Sequence, residues 1–186
     1  MTAEKSSVRR IATVKLTYAS LLAAIAVLFP QLFHLTGIPN AGQMFLPMHI
    51  PVLVCGLWLG PFYGGAVGAM APLLSCLITQ MPALARMPFM MIELAAYGVI
   101  CGALYRTLKL ERLKFGIYPA LVGGMLGGRA LYALALTVAT YLLKLEAGTA
   151  IAVVSAAVSG IPGIVIQLIF VPPLVLSLER LSRFTR

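Results

Sequence analysis

The stretch FLPMHIPVLVCGLWLGPFYGGAVGAMAPLLS, residues 45–75, decides the fold. It contains no Lys, Arg, Asp or Glu. A bilayer core about 30 Å thick takes about 20 apolar residues per helix. The run is too long for one crossing, and Gly60-Pro61 interrupts it with a helix-breaking dipeptide. It therefore reads as two spans back to back, over 47–60 and 62–79. The first of these is short. It either crosses with little tilt or begins in the loop before it.

The same reading extends in both directions. An apolar run over 12–35 precedes the stretch and is followed by TGIPNAGQMF, an uncharged segment rich in turn formers. Beyond the stretch, QMPALARMP leads to a run over 88–108, KLERLKF to one over 116–143, and KLEAG to one over 149–178. Pro162 and Pro172-Pro173 are expected to kink the last run. The result is an all-α integral membrane protein, one domain over 1–186, with six transmembrane helices. Composition agrees: 61% of residues are hydrophobic, 10% are charged, and the mean hydropathy is +0.99. Soluble domains carry about 25% charged residues. The basic N-terminus and first run resemble a signal peptide, but the run is long and has no clear cleavage site, so it reads as a retained helix.

Charge fixes the orientation. Lys5, Arg9, Arg10 and Lys15 precede the first run. Arg106, Lys109, Arg112 and Lys114 lie between the fourth and fifth, and Arg180, Arg183 and Arg186 follow the sixth. Six spans put all three groups on one face, which the positive-inside rule makes cytoplasmic, with both termini. Arg86 and Lys144 fall on the other face. The net charge of +9 is thus a topology signal and a contact with anionic membrane lipid, and no nucleic-acid partner is expected.

Within MMIELAAYG, residues 90–98, stands Glu93, about 8 Å below the outer end of the fourth span. Arg129 lies in the fifth, roughly 20 Å from its cytoplasmic end. Intramembrane charges cost about 2.5–3.5 kcal/mol or more each, so they face an interior or a cavity. Two readings stand. Glu93 and Arg129 form a structural ion pair, or they build a solute pocket open to the outside. In the second, the planar fork of Arg129 holds an anionic group. Glu93 then orients Arg129 or accepts a hydrogen bond from a ligand hydroxyl. Tyr97 and Tyr132, one helical turn from Glu93 and Arg129, are candidate pocket walls. His49 reads as a site member or an interfacial residue. Asn40 and Gln43 are the polar contacts an overlying outer loop would supply, and Arg86 could steer an anion. Gln167 is a further polar group inside the sixth span.

Small residues recur at intervals of four: Ala19 with Ala23 and Ser20 with Ala24 in the first run, Gly64 with Gly68 in the third, Gly123 with Gly127 and Gly124 with Gly128 in the fifth. This spacing lets helix backbones approach in lipid. In the third and fifth runs it reads as internal packing; in the first it also suits a partner.

No cofactor or metal is expected. Cys55, Cys76 and Cys101 lie in apolar runs without CxxC spacing and read as buried free thiols. No HExxH or GxSxG occurs, and the chain has no Asp, which speaks against an enzyme. A stand-alone secondary transporter of a small organic solute is the alternative: no internal repeat is evident, but Pro162-Gly163 offers the broken helix such folds use. A purely structural membrane protein has no use for a buried Arg and Glu.

Several stretches together resemble the substrate-binding S components of energy-coupling factor (ECF) vitamin transporters. These are YASLLAAIA, residues 18–26, the 45–75 stretch itself, and MPFMMIELAAYGVICGALYR, residues 87–106. The resemblance covers nearly the whole chain. It implies high-affinity binding of one small water-soluble vitamin near the outer face, in the plasma membrane of a bacterium. It also implies docking on a transmembrane coupling protein and two cytoplasmic ATPases, which hydrolyse the ATP. The small-residue face of the first helix is a docking surface in that family, a role that transfers here to Ala19 and Ala23. With Arg129 buried, pantothenate is the foremost substrate and nicotinate the next.

Overall fold

A computed structural model of the chain describes residues 2–34, 37, 41–142, 155 and 158–184. The described chain is helical, and six of its helical segments are long and apolar enough to cross a membrane: Ile11–Phe33, Ala41–Leu59, Pro61–Thr79, Met87–Thr107, Ile117–Tyr141 and Ile161–Leu181. Helix α1 (Thr2–His34) supplies the first. The second is composite. Its long piece, α3 (His49–Leu59), has 11 residues and rises only about 16 Å. The five-residue α2 (Ala41–Phe45) completes the crossing, so the span does begin in the preceding loop. Leu46, at φ 49°, turns the chain between the two pieces, and its carbonyl accepts the His49 N–H at 3.1 Å.

Helix α4 (Pro61–Thr79) follows α3 after a single residue, Gly60. The φ of 107° there is one a side chain would strain, and Pro61 occupies the first turn of α4, where its missing N–H costs nothing. Glycines then pull α3, α4 and α5 (Met87–Gly102) into backbone contact. A Cβ at Gly64 would stand 2.7 Å from the Gly98 carbonyl oxygen, and one at Gly102 would stand 2.6 Å from the Pro61 nitrogen. Lipid gives no hydrophobic drive between helices, so this close approach is what holds the three together.

Helix α6 (Ile117–Thr137) packs on α5 through the glycines of its own repeat. Gly124 faces Cys101 and Gly128 faces the ring of Tyr97. The final helix, α7 (Ile161–Phe184), starts later than the run from 149; residues 143–154 lie outside the described chain. Pro162 therefore sits in the first turn of α7 and is no kink point, because a first-turn proline forfeits no helical hydrogen bond. Pro172 and Pro173 do lie inside the helix. The core joins Leu53, Val54 and Leu57 of α3 to Leu121 of α6 and to Val171 and Val175 of α7. All three cysteines are free, Cys55 and Cys101 fully buried and Cys76 half-buried.

Both ends of the described chain lie with the basic 103–116 link, on the cytoplasmic side. Arg106 closes that end. Its Nε donates to the Leu57 carbonyl at 2.9 Å and Nη2 to that of Trp58 at 2.7 Å. Nη2 also pairs with Glu179 of α7 at 2.8 Å and Nη1 with Glu111 at 3.1 Å. One guanidinium thus caps the orphan carbonyls at the end of α3 and ties the helix to α7.

Ala19 and Ala23 do not form a free face. Ala19 is 5% exposed and belongs to a core cluster with Val52, Cys55, Val67 and Ala71, against which Ala23 also packs. Spacing by four leaves open which of two neighbouring pairs points inward. Here that pair is Ala19 and Ala23, and Ser20 and Ala24 are exposed.

Candidate functional site

At the end of the bundle opposite the basic groups, the helices enclose a cavity of about 560 Å³. Pro30 and Gln31 come from α1, Gly42 and Gln43 from α2, and Leu46 to Met48 from the α2–α3 turn. His49 opens α3, Ser75 lies on α4, Met81 to Ala83 and Arg86 come from the α4–α5 loop, and Met90 and Glu93 from α5. Arg129 and Tyr132 close the cavity from α6. The volume is in the range of small-molecule sites.

Arg129 Nη1 pairs with Glu93 Oε1 at 3.0 Å, with side-chain exposures of 18% and 6%. The pair exists because Gly128 has no side chain: α6 comes against the Tyr97 ring there, and the next residue reaches α5. Tyr97 does not line the cavity. It stands behind Glu93, donating its hydroxyl to the same Oε1 at 3.2 Å, and its ring meets the His49 ring at 5.1 Å and 61°.

The pair leaves much unspent. Arg129 Nε and Nη2 are buried and have no hydrogen-bond partner, as are both ring nitrogens of His49 and the amide nitrogen of Gln31. Buried polar atoms are nearly always paired, with protein or with ordered water, so these are the groups here that have no protein partner. Nε and Nη2 form one edge of the guanidinium, the two parallel N–H groups that fit a carboxylate bidentately. Glu93 takes one end of the fork, Arg129 also lines the cavity, and its Nε–Nη2 edge has no protein partner.

A family model described as ECF transporter, substrate-specific component, matches residues 14–175. The chain belongs to this family. No curated protein and no solved structure matches it. As an ECF substrate-specific component it is a multi-pass membrane protein and the substrate-binding subunit of a transporter for a vitamin-like substrate. Membership implies partnership with the transmembrane and ATPase modules of that transporter.

Of the residues singled out in the sequence, the substrate-specific component brings Gln43, His49, Glu93, Arg129 and Tyr132 onto one cavity, together with Arg86 at its exposed loop. Asn40 lies outside the described residues. Gln167 is 2% exposed and its amide nitrogen is unpaired, but it is not on the cavity wall. The sequence reading passed over Gln31 and Ser75. Gln31 carried the same signal as Gln167, an amide in an apolar helix. Ser75 carried none, since a hydroxyl on a helix usually turns back on its own backbone. Here the Ser75 hydroxyl instead donates to the Met81 carbonyl at 2.7 Å, anchoring the α4–α5 loop at the cavity rim. Among the described residues no group of His, Cys, Asp and Glu is placed to hold a metal ion.

Proposed function

We propose that the cavity binds a small carboxylated vitamin, pantothenate foremost and nicotinate next, with Arg129 as the carboxylate anchor. One observation carries this: Arg129 lines the cavity, and its Nε–Nη2 edge is buried with no protein partner. Glu93 holds the guanidinium in place and balances its charge, and the exposed Arg86 adds a positive charge near the mouth. A carboxylate entering this field meets a prepared fork and gives up its hydration for two charge-assisted hydrogen bonds. Gln31, Gln43, His49 and Tyr132 remain for the rest of the ligand. Their number favours pantothenate, which carries hydroxyls and an amide, over the smaller nicotinate.

The subunit then works with a coupling protein and two ATPases in a bacterial plasma membrane. The exposed pair Ser20 and Ala24, together with the apolar side chains around it on α1, is the docking surface for the coupling protein. The test is equilibrium binding of a vitamin panel to the purified protein in detergent, with Arg129→Ala alongside. Tight binding of one carboxylated vitamin, lost in the variant, supports the reading. A wild type that takes up neither acid, or a folded Arg129→Ala protein that binds as wild type does, sinks it.

A further inference from the structure

We propose that His49 is the specificity-determining residue of this cavity. It selects carboxylates that also carry a hydrogen-bond donor, a hydroxyl or an amide N–H, over acids with none. The inference rests on the carboxylate reading above and adds a second recognition point to it.

His49 is 3% exposed, lies on the cavity wall, and has both ring nitrogens buried without a partner. The ring is nevertheless held. Its face-to-edge contact with Tyr97, at 5.1 Å and 61°, fixes its plane. The Tyr97 hydroxyl is committed to Glu93 and does not serve the imidazole. The main-chain N–H of His49 is bonded to Leu46, at the start of α3. The imidazole is positioned through its ring face and its backbone, belongs to the cavity wall, and has no protein partner at either nitrogen.

A neutral imidazole offers one donor and one acceptor. They lie on different edges of the ring, so a single ligand atom cannot serve both. An occupant that satisfies His49 must accept from one nitrogen and donate to the other. A carboxylate alone only accepts, and so does the pyridine nitrogen of nicotinate. A donor-free acid would satisfy Arg129 and leave one imidazole nitrogen buried and bare. Sites that are built to pair a ligand hydroxyl or N–H reject analogues lacking it for this reason.

Three acids test this on the purified protein: pantothenate, a pantothenate analogue with its hydroxyls replaced by hydrogen and its amide nitrogen methylated, and nicotinate. Wild type is expected to bind pantothenate at least about tenfold more tightly than either donor-free acid. In His49→Phe, which keeps an aromatic ring against Tyr97, that preference should fall to within about threefold, through weaker pantothenate binding. His49→Gln, again a donor and an acceptor, should restore part of it. Equal affinities in wild type overturn the inference without any variant. An undiminished preference in His49→Phe, with binding still lost in Arg129→Ala, overturns it and leaves the carboxylate anchor standing. Binding that survives Arg129→Ala, or no binding of any of the three acids, removes the underlying reading and this inference together.

Discussion

The ring of Tyr97 fills the space that a side chain at Gly128 would need. A Cβ there would stand 2.7 Å from Tyr97 Cδ1. This contact sets the spacing of α5 and α6 and, through it, the reach of Arg129 to Glu93. Gly128→Ala should force the ring or the helix aside. Overpacking of this kind costs about 1–3 kcal/mol. Ligand affinity should fall by more than thermal stability alone accounts for, because the misplaced group is the neighbour of the anchor. Paired titrations and melting curves check this; unchanged affinity in a destabilised protein would show that the spacing does not matter to the site.

Arg129→Lys keeps the charge and discards the fork. Lysine is a point charge with no planar edge to offer a carboxylate. The variant should stay folded, retain its partner Glu93, and bind the carboxylated ligand at least about tenfold more weakly. Binding measurements on Lys and Ala variants side by side separate the contribution of geometry from that of charge.

Glu93→Ala strips the counter-charge from a mostly buried guanidinium. Breaking a buried pair from one side costs about 3–5 kcal/mol. The double variant Glu93→Ala, Arg129→Ala should recover part of that loss in melting temperature, and it should bind no carboxylate. If the double variant is no more stable than Glu93→Ala, the two charges do not act on one another.

Arg106→Ala should loosen the cytoplasmic end. It removes the donors that satisfy the carbonyls of Leu57 and Trp58 and the 2.8 Å ion pair to Glu179, whose side chain is 16% exposed. We expect about 2–4 kcal/mol of lost stability with ligand affinity nearly intact, since the cavity is at the opposite end of the bundle. Thermal unfolding with and without ligand reads both quantities.

Ser20→Leu with Ala24→Leu fills the exposed small-residue pair on α1. Purified protein should bind ligand as wild type does, while co-purification with the coupling protein and transport are lost. Intact assembly in this variant, with loss on changing a different face, moves the docking surface elsewhere.

Much of this was legible in the chain. Hydropathy located the spans because lipid demands long apolar helices, and the clustered Lys and Arg oriented them. Glu93 and Arg129 stood out because a charge in an apolar run has few reasons to be there. The parts that could not be read depend on direction and not on composition. Nothing in YASLLAAIA says that Ala19 turns inward and Ser20 outward. The break at Leu46 is a non-glycine residue in the left-handed region, which sequence rules assign to Gly or Asn. Tyr97 was placed on the right face of its helix, but only the depth of the ring behind Glu93 shows that it supports the site from outside the cavity.

The start of α7 lies against α2. A Cβ at Gly163 would be 2.8 Å from the main chain of Phe45 and 2.9 Å from that of Met44. None of the described cavity wall comes from α7. Yet the short helix that carries Gln43 keeps its place only while residue 163 has no side chain. A bulkier residue at 163 would therefore be felt at the cavity through α2, from a helix that supplies none of the described wall.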